Sequence, residues 1–482
     1  MKKILLSGGI IASVLWTGSN VNAEINQETK QFVNKIENLP KGSISNPAFR
    51  GQIEEMVNKF ISNKHKDTKL ERTAIFQMPS GKAEIAASSS DGKTLVVTEA
   101  DLGQISILSI ENLQDIQLKG TVSLKGIHPE AEVTSATITP DGKYAFVAFR
   151  TGDNLYNANK GKIAVVELSS KNIVKTYEVG VGPDSISLSK DGTKLVVCNE
   201  DEEGDPNDGN EVNMKKTKRP GTISIITFPS GDVLQGIHHE LSIDISQIGN
   251  GTVYKHDPQP EYVAISPNGE KAAVTLQENN AVAIVDLQGQ YIETIFGLGT
   301  TKHKADLQND GVVSFQDEII ARPEPDGVTW DPSGRFLITA NEGDLGKNEF
   351  KDGVKSGGRN ISVWSRGGSF VYDSMNLIDE KVAAAGLYPD SRSNSRGSEV
   401  ENVAAGTIQG SPIMAVAAER ANAVLFFDLT LPMFPVYIGL VPSGGKAPEG
   451  IHKINNRNIF VSADEADGVL SFYSLQKYIN QN

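Results

Sequence analysis

From about residue 72 onward, apolar and polar positions alternate with a period of two, the mark of strands with one or both faces buried. The alternation comes in packets. In the clearest, Pro260-Glu261 leads through Tyr262 to Ile265 into the turn Pro267-Asn268-Gly269. Ala272 to Thr275 follows, then Glu278, then Ala281 to Leu287. The order is a small residue or Pro, an acid, a strand, a turn, a second strand, a second acid and a third strand, and it recurs seven times. Asp-Gly, Asn-Gly and Ser-Gly pairs fill the first turn, because Gly accepts positive φ without steric cost. Each copy has room for a fourth strand.

A unit of this size cannot bury its own apolar face, so the copies must stack. Four antiparallel strands in ~40–50 residues describe a propeller blade. The predicted fold is all-β: a seven-bladed β-propeller over residues 72–482. Seven blades need roughly 315 residues, and the excess falls in insertions around 201–220, 296–322, 344–359 and 376–397. Copy seven runs out of chain near Leu475, while Arg72 to Gln77 stands unpaired ahead of copy one. Donated to the last blade as its outer strand, that stretch would lock the ring. The alternative, an open solenoid, wants polar caps that neither end shows.

Ahead of the repeat, the period changes. Phe32, Val33 and Ile36, then Ile53, Met56, Val57 and Phe60, carry helical spacing. Residues 24–71 are therefore expected as a short helical N-terminal extension. Lys2 and Lys3, the apolar run Ile4 to Trp16 and the small-residue site Val21-Asn22-Ala23 read as a secretory signal peptide over residues 1–23, bacterial in style. A periplasmic or secreted location follows. No segment reaches the ~18 apolar residues of a transmembrane span.

The chain has 482 residues and a formal net charge of −14, with a pI near 5.1. Nucleic acid and anionic membranes need a basic footprint and are disfavoured as partners. A small-molecule or protein ligand on the propeller face, taken up by a monomer, is the expectation. The single cysteine, Cys198, lies in the strand pattern Leu195-Val196-Val197-Cys198 and reads as a buried apolar residue.

The acids are the candidate chemistry. Glu84, Glu130, Asp184, Glu261, Asp326, Glu399 and Glu449 open the innermost strands and are expected to ring one mouth of the channel. Glu99, Glu200, Glu278, Glu342, Glu419 and Glu465 close the second strands, while copy two carries Phe149-Arg150 there. Crowded carboxylates need cations or raised pKa values. One reading is a cation-loaded mouth, with Ca²⁺ as the natural hard ion. The other is that the acids accept backbone N–H bonds and staple the ring. Arg359, Arg396 and Arg420, on loops at the blade edges, either bind an anion against the acids or are plain surface arginines. The acidic loop Asp201 to Glu211 fails the spacing of an EF-hand, and Lys215 to Arg219 follows to neutralise it. His238 and His239 point to opposite strand faces and cannot share a metal.

The phrases from Glu261 to Asp286, Asp326 to Asp344 and Lys446 to Leu475 resemble the bacterial choice-of-anchor I family. That family belongs to the wider group of YVTN-repeat, lactonase-like propellers. Leu276 to Ala281 and Ala340 to Asp344 are the most specific parts. The resemblance implies an extracytoplasmic seven-bladed propeller, and some members carry an alkaline phosphatase label. No catalytic residue carries over, and no C-terminal anchor is evident. Two functions stand: a propeller binding a ligand or partner at its acidic mouth, or a metal-dependent hydrolase of phosphoesters or lactones. In the second, an ion held by Glu261, Glu278, Asp326 and Glu342 would activate water.

Overall fold

The alternating packets become strands. The computed structural model describes residues 27–38, 47–152, 159–201, 220–246, 248, 258–343 and 353–477. The expected signal peptide, the acidic loop beyond Asp201 and the basic run 215–219 lie outside them. The described residues form seven four-stranded antiparallel sheets and one three-stranded sheet. The first strands of the seven are Ala86–Ser88, Glu132–Ile138, Pro183–Leu188, Pro260–Ile265, Val328–Trp330, Val400–Ile408 and Pro448–Lys453. Each touches the next, and the last touches the first, so the sheets close around an axis. We number the sheets as blades 1 to 7 in that order.

The apolar cores lie between blades, and alternation along each second strand builds two of them at once. In blade 3, Leu195 and Val197 pack toward blade 2, with Phe146, Ala148 and Phe228. Val196 and Cys198 pack toward blade 4, with Val274 and Ala283. Both faces are buried, so the strand is a continuous apolar run rather than an in–out alternation. Cys198 is fully buried, and burial pushes its thiol pKa up. The hairpin glycines Gly192 and Gly269 hold φ of 73°, which a side chain would resist.

The ring closes through its ends. Thr68–Gln77 pairs antiparallel with Val469–Lys477 as the outer strand of blade 7. The strand therefore starts at Thr68, ahead of the expected residue 72. Before it come two helices, α1 (Gln27–Glu37) and α2 (Pro47–His65). Ile36, Ile53, Val57 and Ile61 pack on Leu431, Phe434 and Val436 of blade 6, and Phe32 stacks on Phe60 at 3.9 Å. The three-stranded sheet (Thr301–Ala305, Asp317–Arg322, Lys355–Ser356) and a third helix, α3 (Leu377–Ala384), are insertions before and within blade 5 and after it.

Candidate functional site

The inner strands bring carboxylates from six blades to one cavity of about 350 Å³. Glu84, Asp184, Glu261, Asp326 and Glu449 line it, with Glu342, Glu419 and Glu465 from the ends of the second strands. Glu401, Gln277, Tyr262 and Asn402 complete the wall with Arg396 and Arg420. Pairing fixes which residue faces inward. Eight residues ahead of the turn glycines Gly92, Gly192, Gly269 and Gly334 stand Glu84, Asp184, Glu261 and Asp326. The same count from Gly142 gives Thr134, which lines the cavity.

Two expected ring members, Glu130 and Glu399, do not line the cavity. Glu130 precedes the strand of blade 2 and is exposed, and Thr134 holds its place. Glu399 precedes the strand of blade 6, where Val400 pairs with Ala418 and Glu401 takes the inward position. Glu399 is buried as an anchor for arginines: Arg392 Nε donates to it at 2.5 Å and Arg420 Nε at 3.2 Å. Arg359 is buried too, donating to the carbonyls of Asp306, Ser393 and Ser395 at 2.7–3.0 Å. It pins the insertions together, is not a surface arginine and does not line the acidic cavity. The acid in blade 1, Glu99, accepts from Gln104 at 2.7 Å and from Ser106.

The remaining second-strand acids divide. Glu200 pairs with Arg150 at 2.8 Å, and Arg150 also reaches Asp184 at 2.8 Å. In blade 4, Gln277 rather than Glu278 lines the cavity; Glu278 lies buried near Glu261 and raises its pKa. Arg396 pairs with Glu342 at 2.7 Å and Arg420 with Glu419 at 3.0 Å. Arg396 comes from the insertion that follows blade 5, and Arg420 from the turn between the second and third strands of blade 6.

Hydroxyls brace the inner ring. Thr134 Oγ1 donates to the Pro183 carbonyl at 2.8 Å. The N–H groups of Ile186 and Val263 donate to Ser135 and Ser185 of the preceding blade at 3.2 and 3.3 Å. The carboxylates meet a different environment. Burial, then the charges of Asp326 and its neighbours, push Glu261 well up. Glu401 and Glu449 rise for the same two reasons, burial first. Glu84 rises to about 8 and Glu419 to about 7, again mainly by burial. Glu261 Oε2 and Glu401 Oε2 are buried without a hydrogen-bond partner, a costly condition for an acceptor. Beyond Ile85, Ser135 and Tyr262 the channel widens into a space of about 850 Å³. Among the described residues its wall has no acid and carries Lys190, Lys453 and Arg457.

A closed ring of four-stranded sheets around such a channel defines a β-propeller. The sequence profile of the choice-of-anchor I domain matches residues 84–357 and 345–432, and the chain belongs to that family. Among solved structures, the β-propeller domain of Cps50 (Swd1) from Myceliophteria thermophila is similar at a TM-score of 0.53 and 9% identity. The match covers 85% of this chain and 100% of that one. Hydrazine synthase from Kuenenia stuttgartiensis is similar at 0.52 and 13% identity, covering 84% and 97%. These likenesses concern the fold alone. No curated protein matches the chain. Among the described residues no helix is long and apolar enough to cross a membrane.

Proposed function

We propose that this protein is an exported propeller that binds a cationic ligand, a small molecule or a basic group of a protein partner, at the acidic mouth of its channel. The observation that carries this reading is the convergence of Glu84, Glu261, Asp326, Glu401 and Glu449 on one 350 Å³ cavity, with two buried carboxylate oxygens unpaired. A cation entering there relieves repulsion and satisfies those oxygens in one step. An anion would meet the acids first. The wide part of the channel, whose wall carries Lys190, Lys453 and Arg457, leaves space for a ligand body behind a cationic head. Export rests on the basic, apolar and small-residue pattern of residues 1–23.

Titration calorimetry with spermidine, an arginine-rich peptide and calcium chloride tests the reading. Binding of at least one probe, weakened about tenfold or more in Glu261→Gln and unchanged in Glu130→Gln, supports it. Equal binding by all three proteins, or none, rejects it. The hydrolase reading is favoured by two carboxylate triads with metal-binding spacing in the same wall. It additionally requires turnover of a phosphoester or lactone that a chelator abolishes.

A further inference from the structure

We infer that the cation taken by this mouth is a divalent metal ion of the calcium class, one per chain, held by Asp326, Glu401 and Glu449. The inference rests on the cation-binding reading above and narrows it to one chemistry. One carboxylate oxygen of each of the three lies within 4.8 Å of the others. A Ca²⁺ ion, with oxygen contacts of about 2.3–2.6 Å, bridges that spacing from the middle. The three acids come from successive blades 5, 6 and 7, and Glu401 and Glu449 sit second in their strands. Glu401 and Glu449 sit at register shifts within paired strands, and the Asp326 N–H donates to the Ala340 carbonyl at 3.1 Å.

A cluster of acids alone would be weak support. The second observation is Glu401 itself. Its residue is only 7% exposed, it lines the cavity, and its Oε2 has no hydrogen-bond partner. A buried carboxylate oxygen without a partner needs a proton or an ion.

Glu401 also belongs to a second triad with Glu342 and Glu419. That triad is already matched by guanidinium charge, since Arg396 holds Glu342 and Arg420 holds Glu419. Those arginines direct the ion to the Asp326 side and leave charge for a single ion. Among the described residues the cavity wall offers carboxylate, amide and hydroxyl oxygens, and neither His nor Cys. That donor set suits hard ions rather than zinc or copper. Mg²⁺ demands shorter contacts and gives up water reluctantly, so it is the weaker ligand.

The test uses the full chain, stripped with EDTA and dialysed, titrated with CaCl₂, MgCl₂ and, separately, spermidine. One Ca²⁺ per chain, bound about tenfold or more tighter than Mg²⁺, is the expected result. Glu401→Gln and Glu449→Gln should each weaken Ca²⁺ by at least about tenfold, while Glu130→Gln leaves it unchanged. Circular dichroism in EDTA checks that both variants are folded, and either one suffices if the other is not. Ca²⁺ binding unchanged in both variants overturns the assignment. Spermidine binding that is sensitive to Glu261→Gln, with no Ca²⁺ binding, also overturns it but leaves the cation-binding mouth standing. Loss of both overturns both.

Discussion

Glu84 and Glu419 face one cavity, and each keeps its proton into a pH range where a free glutamate has lost it. Burial raises Glu84 to about 8, with Asp184 and Glu465 adding to the effect. Burial likewise raises Glu419 to about 7, against the pull of Arg420. The unfolded values lie near 4.5. Between the two values the folded state holds protons that the unfolded chain has released, so stability falls as pH rises. It is full below about 4.5 and declines through 7 and 8. Without added cation, the urea midpoint should therefore drop between pH 5 and pH 9, and Glu84→Gln should flatten the upper part of the drop. A midpoint that is level or rising across that range contradicts this account. The residue scale is also where sequence reading is least secure. Pro129-Glu130 imitates the Pro-acid start of other copies, yet counting from Gly142 selects Thr134. In blade 6 the same count from Gly410 gives Asn402, which lines the cavity, but Glu401 beside it lines the cavity too. Both lie in a register shift between Val400 and Val403, an irregularity that brings the extra acid inward and that no local pattern reports.

At the scale of elements, one buried carboxylate adds a charged link to the apolar docking of the helical extension on the propeller. Lys64 Nζ and His65 Nε2, at the end of α2, reach Asp428 Oδ2 at 2.8 and 2.7 Å. Burial pushes Asp428 up, but the hydrogen bond from His65 and the charge of Lys64 outweigh it and bring the group to about 2. A lowered folded pKa stabilises above the unfolded value of 3.8 and is lost as pH falls through about 2. The shift corresponds to about 2 kcal/mol. Asp428→Asn should remove roughly that amount at pH 7 and let protease cut the segment before Thr68 faster, with the propeller intact. Unchanged cleavage would mean that the apolar contact with Leu431 and Phe434 holds the helices unaided. The helices themselves are visible in the spacing of Phe32, Ile36, Ile53, Val57 and Phe60. Their docking place is not, because blade 6 lies hundreds of residues away and the complementary apolar patch follows no repeat.

At the scale of the whole molecule, the acidic mouth depends on a seam. Glu449 belongs to blade 7 and Glu84 to blade 1, so they meet only because the ring closes. Contact there is tight: a Cβ added to Gly450 would lie 2.4 Å from the carbonyl oxygen of Glu84. Closure rests on Thr68–Gln77, whose Leu70 packs with Phe460 and Tyr473 and whose Ala74 and Phe76 pack between blades 7 and 1. Arg72 adds bonds to the carbonyls of Pro442 and Ser443 at 2.9 and 2.6 Å. A chain beginning at Met78 lacks that strand and leaves Val469–Lys477 as an open edge, which invites intermolecular pairing. It should melt earlier and associate on light scattering, and its cation binding should weaken as Glu84 and Glu449 separate. A chain beginning at Lys66 loses the helices but keeps the strand, and should stay monomeric with its binding intact. Adding a synthetic peptide of residues 68–77 to the shorter chain should restore the monomer. If the chain beginning at Met78 melts and binds like the chain beginning at Lys66, the ring is held by its inner strands alone, and the outer strand is a covering rather than a clasp.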